Sequence, residues 1–260
     1  MPLPGDFDVC IVKMVFADMR SDNYLTAASA KKFTVMDPTC GVGTLLIDSS
    51  REFSALINTL DISEEVKISC IKRFRSSGII GQDKVDRMVR LSKINTMLAG
   101  GNISNVFSGN SIIGDSAIDD YAGKVDFIFT NPPFGADYSI EDISFDKFPM
   151  LNQMEISSNT ITSELLMLIK SISLLKDGGY LAIVLPDSVF SSKGINAQIR
   201  KIILHNYQVR AIVELPAVAF AQAGTRTKTS VLYLKKSSPK RQAKIAMGIC
   251  EGIKPKYKAY

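Results

Sequence analysis

The run Val125-Asp126-Phe127-Ile128-Phe129-Thr130 has the length and the β-branched and aromatic content of a buried strand, and it stops at two consecutive prolines. Neither proline can donate to a sheet ladder, so the strand ends at Thr130 or Asn131. A stiff turn, Asn131-Pro132-Pro133-Phe134, follows with one amide side chain and one aromatic ring. In open α/β sheets, ligands bind in the crevice at strand carboxyl ends. The turn is therefore either a plain strand terminator or one wall of a site.

The flanking sequence supplies the sheet for that strand. Val9–Arg20 carries a broad apolar face at helical spacing, and Ser21–Lys32 reads as a loop or short helix. Phe33–Met36 reads as a short buried strand, with helical periodicity resuming over Thr44–Leu60. A second short strand sits at Ile79-Ile80. Lys84–Ala99 predicts a helix whose apolar side holds Val85, Met88, Val89, Leu91, Ile94, Met97 and Leu98, stopped by Gly100-Gly101. Asn105–Ile113 is a weaker strand candidate. After the long acidic stretch Ala136–Ser158, which shows no period, come a helix over Thr162–Leu175, a turn at Lys176–Gly179 and a strand over Tyr180–Leu185. A helix over Ile195–His205 and strands over Gln208–Leu215 and Thr229–Leu234 complete the pattern. Strands alternating with helices predict a mostly parallel sheet covered on both faces. Residues 1–236 read as one catalytic-size domain and 237–260 as a basic tail.

Composition excludes several classes. Cys10, Cys40, Cys70 and Cys250 lack C-x-x-C spacing and His205 is the only histidine, so neither a metal site nor a disulfide framework is expected, and a reducing, cytoplasmic setting is the default. No apolar run is long enough to span a bilayer. The net charge of +5 is compatible with a nucleic-acid partner without requiring one.

Polar or glycine-rich turns follow four successive strands. Asp37-Pro38-Thr39-Cys40-Gly41-Val42-Gly43 brings backbone close to a ligand and leaves helix N–H groups free, or is a structural turn; the third glycine of a dinucleotide fingerprint is replaced by Leu46. Asp83 is placed for ribose hydroxyls or as a helix cap, and Asp115 in Gly114-Asp115-Ser116 for an adenine amine or as a turn residue. The Asn131 side-chain oxygen and a proline carbonyl can both accept from one amino group, with Phe134 stacking on the ring that bears it. No Ser-His-Asp set, P-loop lysine or paired catalytic carboxylate is visible.

The turns at Asp37–Gly43 and Asn131–Phe134, in that order, resemble the S-adenosylmethionine-binding and catalytic turns of amino-directed DNA methyltransferases. Glu164-Leu165-Leu166, Leu174–Gly179, Leu185–Phe190, Ile199-Arg200-Lys201, Glu214-Leu215-Pro216 and Lys228–Leu232 resemble the modification subunits of type I restriction systems, so that the likeness covers Val9 to Lys236. The resemblance implies a Rossmann-like class I methyltransferase sheet of about seven strands, mostly parallel with the last, Thr229–Leu234, antiparallel. It implies that Asp37, Thr39, Gly41 and Gly43 hold the methionine portion of S-adenosylmethionine, Asp83 the ribose, and Asp115 and Ser116 the adenine. Asn131, Pro132, Pro133 and Phe134 would hold a flipped target adenine, methylated at its exocyclic N6 amine within DNA. The family also implies a separate specificity subunit and a restriction subunit as partners. One segment departs: where relatives carry a Phe-Thr-Pro-like sequence, this chain has Leu3-Pro4-Gly5-Asp6-Phe7. Lys193, Arg200, Lys201, Arg226 and Lys228 are candidates for DNA backbone contact or a solvated basic surface. The rival expectations are a protein glutamine methyltransferase and a non-catalytic scaffold that binds DNA or a partner.

Overall fold

A computed structural model describes residues 5–216, 228–238 and 245–249. The chain opens with helix α1 (Gly5–Ser21) and a short α2 (Ala27–Ala30), then enters the sheet through β1 (Val35–Asp37). Helices α3 (Thr44–Asn58) and α4 (Glu64–Arg73) lead to β2 (Ile79–Asp83), and α5 (Asp86–Leu98) to β3 (Val106–Ser108) and β4 (Val125–Thr130). A small hairpin, β5 (Asp137–Ser139) with β6 (Thr160–Thr162), precedes α6 (Ser163–Leu174) and β7 (Leu175–Pro186). The chain continues through α7 (Asp187–Ser191), α8 (Ile195–Asn206), β8 (Gln208–Glu214), β9 (Thr229–Lys235) and β10 (Ala246–Ile249).

The main sheet has eight strands in the order β10-β8-β9-β7-β4-β1-β2-β3. All its pairings are parallel except those of β9, which inserts antiparallel between β7 and β8. The expected antiparallel strand at Thr229–Leu234 is thus present, and β10, beyond it in sequence, adds a parallel edge strand. From β1 the chain moves outward through β2 and β3, then returns to place β4 on the other side of β1. The switch point between β1 and β4 is where such a sheet opens a crevice.

Alternation along β4 splits the core. Phe127 and Phe129 join a cluster with Phe7, Ile11, Val12, Val15, Phe16, Phe33 and Phe53 under α1 and α3. Ile128 faces a second cluster under α6 and α8, with Leu165, Leu166, Ile169, Ile199 and Ile203, and Val125 joins it because the ladder shifts register between Val125 and Phe127. Burial on both faces is why β4 reads as a continuous apolar run. The excursion at Lys176–Gly179 lies inside the β7 span: pairing with β4 jumps from Val125↔Leu175 to Phe127↔Tyr180. A Cβ on Gly179 would fall 2.9–3.1 Å from three backbone oxygens, so only glycine fits that jump.

Two expectations change. The predicted apolar side of α5 is mostly outward: Val85, Leu91, Ile94, Met97 and Leu98 are exposed, while Val89, Ser92 and Thr96 form its buried face. The cause is close approach. The Cys40 thiol lies 3.6 Å from the Ser92 hydroxyl, and a Cβ on Gly43 would be 2.6 Å from the same oxygen, so a large side chain has no room there. The stretch 136–158 is also more ordered than its lack of period suggests: Ile143, Phe148, Met150 and Leu151 are buried in the second cluster. Among the described residues no helix is long and apolar enough to cross a membrane.

A candidate ligand site at the switch point

Three turns meet at the carboxyl ends of β1, β2 and β4. Thr130, the last residue of β4, donates its hydroxyl to Asp37 Oδ1 at 2.8 Å, and its oxygen lies 2.7 Å from the Thr39 hydroxyl, which donates in turn. Asp37 Oδ1 also accepts from the Thr39 backbone N–H at 3.0 Å. The glycine-rich turn and the Asn131 turn are therefore fixed to each other through one carboxylate and two hydroxyls. The Gly41 N–H donates to Asp83 Oδ2 at 2.9 Å, and the Val85 N–H to Asp83 Oδ1 at 2.8 Å. Each Asp83 oxygen keeps a lone pair for a further donor.

Gln82 braces the floor. Fully buried, it donates to Ser111 Oγ at 2.8 Å and exchanges hydrogen bonds with Ser116, while Ser111 donates to the Pro38 carbonyl at 2.6 Å. From the other side, the start of α6 supports the Asn131 turn. The Ser163 hydroxyl donates to the Pro133 carbonyl at 2.9 Å, and the Gly135 N–H reaches Glu164 Oε2 at 3.2 Å.

Between these turns lies a cavity of about 320 Å³. Asp37, Thr39, Gly41, Asp83, Asn131 and Pro133 line it, so the sequence-predicted residues of three turns converge on one space. Gly43 lies outside the lining, packed on Ser92 with φ of +86°. Pro132 is buried under the turn and Phe134 packs, half-buried, against the first core cluster. Asp115 and Ser116 are outside the lining as well. Asp115 is fully exposed and 3.5 Å from Lys147, and Ser116 is engaged by Gln82. The wall at the end of β3 is Gly109, Asn110, Ser111 and Ile112. Asn110 closes a local turn there by accepting from the Ile112 N–H at 2.9 Å. Tyr138 on β5, Met167 on α6 and Asp8 on α1 also line the cavity without having been singled out. Asp8 had a signal: it stands three, four and seven residues before Ile11, Val12 and Val15, all buried, and so belongs to the inward stripe of α1. Of the basic candidates, Arg200 is committed to the Val189 and Ser192 carbonyls at 2.7 and 2.8 Å, and Arg226 lies outside the described residues.

Burial dominates the electrostatics. It raises the Asp37 carboxyl to about 7, partly opposed by the Thr39 N–H and the Thr130 hydroxyl and reinforced by Asp83. It raises Asp8 to about 8, helped by the negative charges of Asp48 and Asp37. Both groups are protonated in the ligand-free fold at pH values where the unfolded chain is ionised, so each stabilises least at high pH. In Asp22 and Asp119 burial also pushes upward, but hydrogen bonds from Lys235 and Lys147 outweigh it and the net shift is down; their contribution changes only below about pH 4. Stability of the ligand-free protein is expected to fall by a few kcal/mol as pH rises from about 4 to about 8. Urea unfolding at pH 5 and pH 8 measures this, and equal stability at the two values would refute the raised carboxyls.

The family described as N-6 DNA Methylase matches residues 11–251. The methylase subunit of the type I restriction enzyme EcoEI from Escherichia coli is 28% identical over 209 residues, covering 80% of this chain and 39% of that protein. The crystal structure of the EcoKI M protein superposes with a TM-score of 0.60 at 24% identity, over 79% of this chain and 40% of that one. A type ISP restriction-modification enzyme, LlaBIII bound to DNA, gives a TM-score of 0.72 at 15% identity, over 96% of this chain and 19% of its own. The chain thus spans about two fifths of the length of the curated relatives it matches.

Proposed function

The chain belongs to the N-6 DNA methylase family, and on that premise we propose that it transfers a methyl group from S-adenosylmethionine to the exocyclic N6 amine of a flipped adenine in DNA. It acts as the catalytic part of a restriction-modification enzyme whose specificity subunit reads the site, with a restriction subunit as a further partner. The observation that carries this reading is the shared cavity: the Asn131 turn and the Asp37, Gly41 and Asp83 turns line one space.

The residues present fit the cofactor. An added Cβ on Gly41 would meet no atom within 4 Å, which leaves a cradle where ligand can approach backbone. Asp83 retains lone pairs for ribose hydroxyls, and Asn110, two residues beyond β3, lines the same cavity, where its amide would face a nucleoside. The cavity volume falls at the low end of the usual ligand-pocket range of roughly 300–1,000 Å³. When bound, S-adenosylmethionine supplies an electrophilic methyl group on its sulfonium.

The chain's own part is placement. The Asn131 side-chain oxygen and the Pro132 carbonyl accept the two N–H bonds of the target amine, drawing the nitrogen toward tetrahedral geometry. Phe134 stacks on the extruded base, which offsets part of the few kcal/mol spent on unstacking it. The gain is orientation and electrostatic positioning rather than a strong base. Incubation of the protein, alone and with its specificity partner, with methyl-labelled cofactor and adenine-containing duplex tests the assignment. Label in N6-methyladenine supports it, while label in protein glutamine would transfer the turn to that alternative.

A further inference from the structure

The outward face of α5 carries apolar side chains that nothing among the described residues covers. Leu91, Ile94 and Leu98 stand three and then four residues apart, with Met97 beside them, and all four are exposed, Leu98 at 77%. That spacing is the a/d seam by which one helix packs along another. Ile68 on α4 and Ile103 just beyond α5 add to the surface, exposed at 63% and 41%. Apolar side chains grouped this way on a protein surface mark a place of interaction.

The free charge along the stripe has one sign. Arg87 lies one turn before Leu91 and Arg90 borders it, and neither pairs with a carboxylate among the described residues. The single acid of the helix, Asp86, already accepts from the Ser108 hydroxyl at 2.5 Å. Two residues past Leu98 begins a groove of about 560 Å³ between the carboxyl half of α4 and Gly100–Asn102, lined by Ile68, Ile71, Lys72 and Arg75. Arg75 is half-buried there, and its Nε is fully buried with no hydrogen-bond partner among the described residues. An unpaired buried guanidinium N–H costs stability, and a carboxylate, which can accept two N–H bonds from one guanidinium, is the group that completes it.

We propose that α5 and the groove beside it dock an acidic amphipathic helix of a partner protein. Its apolar residues lie against Leu91, Ile94, Met97 and Leu98, and its carboxylates against Arg75, Arg87 and Arg90. The stripe favours a protein over a nucleic acid, because phosphates are held by cations and polar groups and gain nothing from exposed aliphatic side chains. The unpaired arginines favour a foreign acidic helix over α5 of a second copy, which would bring like charges together. Leu91 to Leu98 spans about 10 Å, so about three turns of the partner cover the stripe and reach the groove. Because α5 packs on β2 and β3, with β1 between them and β4, the docked helix leaves the Asn131 turn open to its base.

Fluorescence anisotropy of the full chain with two labelled three-heptad peptides tests the assignment. One carries Leu at a and d with Glu at e and g, and the other has Lys in place of each Glu; like charges keep each from pairing with itself. At physiological salt the acidic peptide should bind roughly tenfold or more tightly than the basic one, and high salt should shrink that difference. Ile94→Asp should weaken the acidic peptide roughly tenfold, and Arg90→Glu should shift preference toward the basic one. Both side chains are exposed, so urea unfolding of the variants should match the native protein. Equal affinity for the two peptides, binding of neither, or acidic-peptide binding untouched by Ile94→Asp overturns the proposal. So does self-association in sedimentation velocity that Ile94→Asp abolishes, which gives the face to a second copy. Duplex DNA binding that Arg90→Glu abolishes gives it to nucleic acid and overturns the proposal as well.

Discussion

Asn131→Ala is expected to lower methyl transfer by roughly 10²–10³-fold while changing cofactor affinity by no more than about twofold. The amide stands at the carboxyl end of β4, half-buried, on the wall of the cavity opposite the Asp83 turn. Its proposed work lies at the accepting amine. Removing it takes away a placed acceptor that is most effective when charge develops on the nitrogen, the kind of contribution worth roughly 2.7–4 kcal/mol in other enzymes. The scaffold should survive the change. Pro132 and Pro133 still set the turn, the Ser163 hydroxyl still holds the Pro133 carbonyl, and the Thr130 to Asp37 bond still joins the turn to β1. Single-turnover methylation of duplex DNA and calorimetry with S-adenosylhomocysteine separate the two effects. A parallel fall in both would move Asn131 from the amine to the cofactor and end the assignment.

How far the sequence carried depends on which physical signal a residue type can send. Val125–Thr130 emerged with the same bounds in the structure, because two prolines leave no alternative strand end. The parallel core and the antiparallel strand at Thr229 likewise followed from strand–helix alternation and from resemblance. Periodicity failed at α5, where contact with Cys40 and Gly43 selects a small residue, Ser92, and Gly101 packs on Thr96, leaving the larger apolar residues outside. A moment built on hydrophobicity points the wrong way when packing demands small size. At β3 the strand stops at Ser108, so Gly109-Asn110-Ser111 forms the cavity wall while the carboxylate of Asp115 turns to Lys147. Two Gly-polar-Ser turns stood side by side in the sequence, and only backbone pairing with β2 distinguishes them. Asp8 was legible in principle, as a charged residue in register with an apolar stripe, but the helix first had to extend one turn earlier than Val9.

The two glycines of the first turn should separate fold from function when each is replaced by valine. Gly43 has φ of +86°, a region costly for a β-branched residue, and its added Cβ would lie 2.6 Å from Ser92 Oγ and 3.4 Å from the Ser92 backbone. The strain, about 1–2 kcal/mol, and the overpacking against α5, about 1–3 kcal/mol, act together, so Gly43→Val is expected to destabilise the protein by roughly 2–5 kcal/mol. That would remove much of the stability of an ordinary domain. Gly41 also has positive φ, +52°, but a Cβ there meets nothing within 4 Å and the residue lines the cavity. Gly41→Val should therefore cost little beyond the backbone strain, yet place its methyl groups where the ligand approaches backbone, weakening S-adenosylhomocysteine roughly ten- to a hundredfold. Urea denaturation of the ligand-free variants reads the first effect and calorimetry the second. The reverse pattern, a stable Gly43 variant and an unfolded Gly41 variant, would mean that the turn packs on α5 through the other glycine and that the cradle has been assigned to the wrong residue. Because both positions share the strain of positive φ, the contrast between them isolates what each side chain would meet: α5 in one case, the ligand in the other.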